Sequence, residues 1–181
     1  MRVVSGSARG TKLVCPEGLS VRPTHDRVKE ALFSMLSAKP VGARVLDLFA
    51  GSGALGIEAL SRGAESAVFT DISPLSLSAI TENVTKTHLL DKASIIKSDY
   101  LSYLKTTDET FDLIFMDPPY AEDFLIPALE VIASRKLLAP DGIIYCETGF
   151  DWEGSFPSAF SVIRDKKYGK ARALLLKELS S

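Results

Sequence analysis

The four residues Asp117-Pro118-Pro119-Tyr120 bring together groups that suit chemistry on a planar aromatic amine. The rings of Pro118 and Pro119 hold their own backbone φ angles at about −65°, which makes the turn stiff. The Asp117 carboxylate and the Pro118 carbonyl are hydrogen-bond acceptors, and the Tyr120 ring can stack on a base. An exocyclic amine of guanine, adenine or cytosine is a poor nucleophile because its lone pair is delocalised. Two acceptors on its hydrogens favour the pyramidal nitrogen that attacks a methyl group, which stabilises the transition state.

The same four residues also fit a proline-rich turn after a core strand, so their surroundings must decide. A glycine-rich loop, residues 51–56, matches the dinucleotide-binding fingerprint, and Asp71 lies about 20 residues beyond it, where a ribose-binding acid belongs. A nicotinamide-dependent dehydrogenase is therefore one interpretation. Asp47, just before the loop, disfavours it because a carboxylate there repels a pyrophosphate and suits a cationic ammonium group.

Three acids, Asp47, Asp71 and Asp99, lie at the ends of three consecutive predicted strands. A cofactor with an amino-acid end, a ribose and an adenine would use all three, and S-adenosylmethionine has these parts. Asp47 would face the amino-acid end, Asp71 would take both ribose hydroxyls, and Asp99 would accept from the adenine amino group. The candidate cofactor site comprises Asp47, Phe49, Gly51, Ser52, Gly53, Asp71, Ile72, Asp99, Tyr100 and Asp117.

The elements that must position these residues alternate along the chain. Strands are predicted over 44–49, 67–71, 93–97, 111–116 and 142–147, with helical segments between them. This order indicates an α/β fold with a mostly parallel, doubly wound sheet that binds ligands at the carboxyl ends of its strands. Residues 166–170 are too few for a crossover, so strands 160–164 and 173–177 are predicted to form an antiparallel hairpin. That hairpin also disfavours the all-parallel dehydrogenase sheet.

The N-terminal part is predicted to be a β-hairpin of residues 2–5 and 11–14, followed by a helix. Thr24 is the predicted N-cap, and Asp26 falls in the first turn. Apolar residues at helical spacing follow at Val28, Ala31, Leu32, Met35 and Leu36. We expect one methyl-transfer domain over residues 1–181, with residues 1–21 as a basic arm appended to it.

Composition is typical of a globular protein without a membrane span. The 181 residues are 46% hydrophobic and 24% charged, and no apolar run is long enough for a membrane span. The start of the chain has no apolar segment typical of a signal peptide. Cys15 and Cys146 lie far apart and are interpreted as free thiols in a reducing cytoplasm. His25 and His88 are not clustered, so no metal site is predicted.

Charge is unevenly distributed around a net value of −2. Residues 1–44 carry 8 Lys or Arg against 3 Asp or Glu, and residues 164–181 carry 6 against 2. Residues 45–163 carry 7 against 18. If the two ends meet, they form a basic face that attracts phosphates; otherwise they are two solvated basic segments.

Six features of the sequence together resemble a known family. Residues 46–56, Asp117–Tyr120 and the terminal hairpin resemble class I S-adenosylmethionine-dependent methyltransferases (Rossmann-like) that methylate amines. Arg9-Gly10-x-Lys12-Leu13, the block from Arg22 to Phe33 and Lys167-Tyr168-Gly169 narrow the resemblance to the bacterial 16S ribosomal RNA guanine-N2 methyltransferases, small-subunit methyltransferase D. The resemblance covers nearly the whole chain. Asp71 stands where a Glu is expected, which changes the reach of the acid but not its role.

The resemblance implies methyl transfer from S-adenosylmethionine to N2 of a guanine in 16S rRNA, within a partly assembled small ribosomal subunit. Asp117 and the Pro118 carbonyl would hold the amine, and Tyr120 would stack on a base turned out of its loop. No metal or membrane is implied, and the protein is expected to be a cytoplasmic monomer. The residues expected to contact RNA are Arg2, Arg9, Lys12, Arg22, Arg27, Lys166, Lys167, Tyr168 and Lys170.

Two other functions remain open from the sequence. Adenine and cytosine enzymes share the Asp-Pro-Pro-Tyr motif, so a methyltransferase acting on DNA adenine is one alternative. A non-catalytic RNA-binding assembly factor that retains the fold is another, although an intact Asp-Pro-Pro-Tyr turn disfavours it.

Overall fold

The computed structural model describes residues 1–18, 23–119 and 123–180, and for residues 23–25 only the backbone. Within these residues, seven strands form one sheet in the order β3-β2-β1-β4-β5-β7-β6. The strands are β1 (Arg44–Asp47), β2 (Ser66–Asp71), β3 (Ala93–Lys97), β4 (Phe111–Met116), β5 (Leu138–Gly149), β6 (Phe160–Tyr168) and β7 (Ala171–Glu178). Strands β1 to β5 are parallel to one another, whereas β7 pairs antiparallel with both β5 and β6. The predicted fold class is confirmed, including the antiparallel hairpin.

Helices cover both faces of this sheet. They are α1 (Pro23–Leu36), α2 (Ala54–Ser61), α3 (Pro74–Lys86), α4 (Tyr100–Thr106) and α5 (Leu125–Arg135), and a 3-10 turn spans Leu90–Lys92. Apolar residues of α1, α2 and α3 pack into one core, and those of α4 and α5 pack into the other. Successive residues of a strand alternate between the two cores because side chains of a strand point to opposite faces. Ile144 and Cys146 of β5, for example, lie in the α4–α5 core, and Ile143 and Tyr145 lie in the other.

Several predicted boundaries change in the structure. Helix α1 begins at Pro23, so Thr24 lies inside the helix and is not its N-cap, which corrects the prediction. Asp26 does lie in the first turn. Helix α3 has Ser73 at its N-cap position and Pro74 as its first residue, where a proline is well tolerated. Strands β5, β6 and β7 are longer than predicted, because pairing between neighbouring strands extends regular structure past the apolar runs that the sequence shows.

The N-terminal arm, residues 1–18, forms a shorter hairpin than predicted. One antiparallel bridge joins Arg2 and Lys12. Backbone hydrogen bonds flank the bridge: the Val3 N–H donates to the Thr11 carbonyl at 3.0 Å, and the Val3 carbonyl accepts from the Gly10 N–H at 2.8 Å. Its apolar residues Val3 and Leu13 are buried in the α1–α3 core. A pair of short strands is unstable alone, so the arm gains its order from this docking.

Buried polar groups of the helices fix the arm in place. The Glu58 carboxylate of α2 accepts from the backbone N–H of Val4 at 2.9 Å and of Ser5 at 3.1 Å. Asn83 of α3 accepts from the Val14 N–H and donates to the Val14 carbonyl, each at 2.8 Å. We retain as a prediction that residues 1–181 form one domain with residues 1–21 as its arm. None of the helices in the described ranges is both long and apolar enough to cross a bilayer.

Candidate functional site

The candidate site lies at the carboxyl end of the parallel strands. Asp47 pairs with Phe115, and Met116 pairs with Cys146 in the registers of β1, β4 and β5. Asp117 therefore follows directly beside Glu147. Because side chains alternate along a strand, Asp47, Asp117 and Glu147 all point to the face covered by α1, α2 and α3. Three carboxyl groups from three neighbouring strands thus share one small region.

Asp117 is partly buried, Pro118 is buried and Pro119 is exposed. Burial, followed by the charges of Glu147 and Asp47, raises the pKa of Asp117 well above its usual value. Its carboxyl group is within hydrogen-bonding reach of Glu147. A raised pKa makes the ionised carboxylate a better proton acceptor, so Asp117 in that form can accept a hydrogen bond and later a proton. Tyr120, the fourth residue of the predicted motif, lies outside the described residues.

Glu147 is the functional candidate that the sequence reasoning missed. It is only 6% exposed, and its Oε2 accepts from the Tyr145 hydroxyl at 2.9 Å. The signal was present, since Glu147 is an acid at the end of an apolar predicted strand, two residues after Tyr145 and hence on the same face. Only the pairing of β4 with β5 shows that this acid meets Asp117.

Asp47 braces the glycine loop from beneath. Its Oδ2 accepts from the Gly56 N–H at 3.0 Å, and the side chain is 2% exposed. Desolvation by burial raises the pKa of Asp47 to about 7, against the lowering effect of the Gly56 hydrogen bond and with a smaller contribution from Asp71. A group that titrates near neutrality is charged or neutral according to what binds beside it.

Glycine is required at the positions of this loop for two different structural reasons. Gly51 and Gly53 have φ values of 58° and 80°, in the left-handed region where a side chain is strained. Gly56 lies against β2, and a Cβ there would be 2.3 Å from the Phe69 ring. The fingerprint therefore encodes a tight turn and close packing of α2 on the sheet, as its spacing predicts.

Asp71 sits at the end of β2 and orients the loop from the side. Its Oδ2 accepts from the Gly51 N–H and its Oδ1 from the Ser73 N–H, both at 2.9 Å. Each carboxylate oxygen retains a further lone pair for a ligand. The next residue, Ile72, is 66% exposed. Ile72 therefore offers an apolar surface to a ligand, next to the hydrogen-bond acceptors of Asp71.

Asp99 has a structural role that the sequence reasoning did not foresee. It is the N-cap of α4, and its carboxylate accepts from the backbone N–H of Leu101 at 3.1 Å and Ser102 at 3.0 Å. Hydrogen bonds to Ser102 lead the causes that hold the pKa of Asp99 below its usual value. The carboxylate is thus fixed in the ionised, accepting form at the end of β3.

Three aromatic rings meet beside these acids. Phe49 lies 5.1 Å from Tyr100 and 5.7 Å from Phe124 between ring centroids, and Tyr100 and Phe124 are 5.1 Å apart. Each ring is only partly buried. Phe49 and Tyr100 were predicted site residues. Phe124 was not, because it lies in the segment before α5, where only the tertiary fold brings it to Phe49.

The basic residues predicted to contact RNA lie on the surface. Exposed side chains are found at Arg2, Arg9, Lys12, Arg27, Lys166, Lys167 and Lys170, while Tyr168 is partly buried against the α1–α3 core. Arg22 lies outside the described residues. Gly149 pairs with Ala171, so the turn between β6 and β7 lies at the same end of the sheet as Asp117.

Helix α1 connects the two basic ends of the chain. Lys29 Nζ donates to the Arg2 carbonyl at 2.6 Å, which places the arm against the first half of α1. The other end of α1, with Met35 and Leu36, lines a groove together with Ile163 and Arg164 of β6. The described residues contain no group of three or more His, Cys, Asp or Glu side chains arranged to hold a metal.

Comparison with known proteins gives the same fold and a family. The family model described as Conserved hypothetical protein 95 matches residues 1–177. Ribosomal RNA small subunit methyltransferase D of Escherichia coli is 34% identical, over 94% of this chain and 86% of the relative. The solved structure of Escherichia coli yhhF superposes with a TM-score of 0.90 at 32% identity, covering 100% of this chain and 99% of that one.

A more distant structure agrees at the level of the fold. The Thermus thermophilus 16S rRNA N2 methyltransferase, solved with AdoMet and guanosine, has a TM-score of 0.71 at 24% identity. The match covers 90% of this chain and 45% of that one. The sheet order and these neighbours establish the class I methyltransferase fold, so the dehydrogenase interpretation of the glycine fingerprint is wrong.

Proposed function

The chain belongs to the ribosomal RNA small subunit methyltransferase D family, and from this premise we propose that it methylates the exocyclic N2 amine of a guanine in 16S rRNA, with S-adenosylmethionine as donor. The observation that carries the proposal is the position of Asp117. The structure places this acid at the end of β4, beside Asp47, which braces the glycine loop. An amine acceptor and a cofactor loop at adjacent strand ends are what amine methylation requires.

The residues present fit the cofactor. When bound, S-adenosylmethionine supplies a methyl group activated by a sulfonium. Gly51 and Gly53 let the backbone turn tightly, and Asp71, already oriented by two backbone N–H groups, has lone pairs free for ribose hydroxyls. Burial and neighbouring acids disfavour negative charge at Asp47 and Asp117, and a cation relieves both. Ile72 offers an exposed apolar face for a flat ring.

Asp117 acts on the amine. Its carboxyl oxygen and the Pro118 carbonyl accept the two N–H hydrogens, which favours a pyramidal nitrogen with an available lone pair. With S-adenosylmethionine bound, the N–CH₃ bond would form as the bond from the methyl carbon to sulfur breaks, and the amine nitrogen would carry a positive charge until it loses a proton. Asp117, whose pKa is raised, then accepts the surplus proton. The base has to be turned out of its stack to reach this depth.

The RNA-contacting surface is proposed along the arm, α1 and the β6–β7 hairpin. The arm contacts α1 at Lys29, and the other end of α1 lines a groove together with Arg164 of β6, so α1 lies between the two basic segments. Exposed Lys166, Lys167 and Lys170 lie near the carboxyl end of the sheet. Their charges would grip phosphates without reading sequence.

The test is transfer of a labelled methyl group to small ribosomal subunits that lack the modification, followed by nucleoside analysis. We expect N2-methylguanosine, and the position is then mapped by primer extension. Asp117→Ala is expected to abolish transfer while S-adenosylmethionine still binds in calorimetry. Asp91→Ala, which removes an exposed acid on the 3-10 turn, serves as the matched control and should transfer normally.

Other results would change the proposal in specific ways. Methylation of adenine in duplex DNA, with none in small subunits, would replace the substrate. Cofactor and RNA binding without single-turnover transfer would favour an assembly factor. We also propose a cytoplasmic monomer acting on a partly assembled small subunit; sedimentation and a comparison of naked 16S rRNA with assembly intermediates test these points.

A further inference from the structure

Glu147 lies beside Asp117, the proposed acceptor for the target amine, and the Glu147 carboxyl group is held in place by its neighbours. Its carboxyl group reaches Asp117 from the neighbouring strand, and it is almost completely buried. The Tyr145 hydroxyl donates to Oε2, and Tyr145 is itself packed edge-on against Phe115. A buried acid held in one orientation at a reaction centre is arranged to meet a particular donor.

The Watson–Crick edge of guanine has such a donor next to the reacting amine. The N1–H group of guanine lies beside N2 and points in nearly the same direction, so two acceptors side by side are needed to satisfy both. Adenine has an amine at position 6 but a bare lone pair at N1. A carboxylate facing that lone pair is repulsive, which rejects adenine as well as favouring guanine.

We propose that Glu147 is a specificity-determining residue that accepts the N1–H hydrogen bond of the target guanine while Asp117 accepts from N2. The inference rests on the proposed function and deepens it, since it gives the structural reason for guanine over adenine. The rival arrangement has Asp117 accept from N1–H and N2–H with its two oxygens, and Glu147 only shaping the site.

The experiment combines substitution of Glu147 with a change at N1 of the target base. Small subunits are reconstituted with 16S rRNA carrying a synthetic segment at the mapped position. This segment holds guanine, 2-aminopurine or 6-thioguanine. 2-Aminopurine keeps the N2 amine but has no N1–H, and 6-thioguanine keeps N1–H while altering O6. Single-turnover methyl transfer is measured for the wild type, for Glu147→Gln and for Glu130→Gln. Glu130 is an exposed acid on α5 and is the matched control.

A hydrogen bond to a charged group is worth roughly tenfold to 150-fold in discrimination. We therefore expect the wild type and Glu130→Gln to prefer guanine over 2-aminopurine by at least about tenfold, with 6-thioguanine close to guanine. Glu147→Gln should reduce this preference about tenfold or more, because an amide can also donate to a bare N1. Tyr145→Phe, which removes the hydroxyl that donates to Glu147 Oε2, should reduce the preference less.

A purely structural role predicts a different pattern. If Glu147→Gln slows guanine and 2-aminopurine by the same factor, or if the wild type does not distinguish them, the inference is overturned while the methyltransferase proposal stands. Loss of 6-thioguanine transfer in the wild type would assign the discrimination to O6 and would also overturn it. No transfer to any base by a wild type that binds S-adenosylmethionine would overturn both proposals. Thermal unfolding of each variant identifies any that fail to fold.

Discussion

Asp47→Asn is expected to stabilise the fold and to weaken the cofactor site. Asn keeps the oxygen that accepts from the Gly56 N–H but carries no charge. In the wild type, burial raises the pKa of Asp47 from 3.8 to about 7. The folded protein therefore holds a proton on this group over a pH range in which the unfolded chain has released it.

The sign and size of the effect follow from linkage. A folded-state pKa above the unfolded value means that wild-type stability falls as pH rises from about 4 to about 7, and is then constant. A shift of about three units corresponds to about 4 kcal/mol, taken as an upper bound. The difference in unfolding free energy between Asp47→Asn and the wild type should be near zero at about pH 4 and rise to a few kcal/mol at about pH 8.

Urea denaturation followed by circular dichroism at several pH values measures this difference directly. Asp112→Asn is the control of opposite sign. Although partial burial acts against it, hydrogen bonds from Arg44 lower the pKa of Asp112, so its removal should destabilise at neutral pH and matter less in acid. Calorimetry should show weaker binding of S-adenosylmethionine to Asp47→Asn.

A stability difference for Asp47→Asn that stays flat between about pH 4 and pH 8 would refute the reasoning, because the carboxyl group would then not titrate in that range. Unchanged cofactor affinity would separately remove Asp47 from the cofactor site and leave it with the bracing of Gly56 alone.

Two further predictions concern the scaffold of the site. Gly56→Ala places a methyl group 2.3 Å from the Phe69 ring, so overpacking should lower the unfolding free energy by about 1–3 kcal/mol in the same denaturation assay; an unchanged value would mean that α2 shifts freely on the sheet. Glu58→Gln removes the carboxylate that forms an ion pair with Lys29, a side chain that is only 3% exposed. It also places an amide NH₂ group, which is a donor, opposite one of the two backbone N–H groups of the arm. A loss of about 3–5 kcal/mol is expected, with faster hydrogen exchange at Val4; protection equal to the wild type would contradict the anchoring role.

The sequence reached most of the architecture because its signals are local. Alternating apolar runs and helical periods predicted the parallel sheet, and the short segment 166–170 predicted the antiparallel hairpin, both of which are confirmed. The N-terminal hairpin is shorter than predicted for the opposite reason. Weak alternation cannot show that Val4 and Ser5 donate their N–H groups to Glu58 instead of to a partner strand. Buried side-chain acceptors compete with strand pairing only after the chain has folded.

The candidate site also has features that local sequence shows and features that depend on tertiary contacts. The residues by themselves determined the glycine loop, the three acids at strand ends and the amine-binding turn, because those features depend on types and spacings within short segments. Only the tertiary structure decided that Asp47 and Asp99 also serve the backbone, that Phe124 joins Phe49 and Tyr100, and that Glu147 meets Asp117. These contacts join segments far apart in the chain, and strand register sets them. A shift of one residue would turn Glu147 to the opposite face of the sheet.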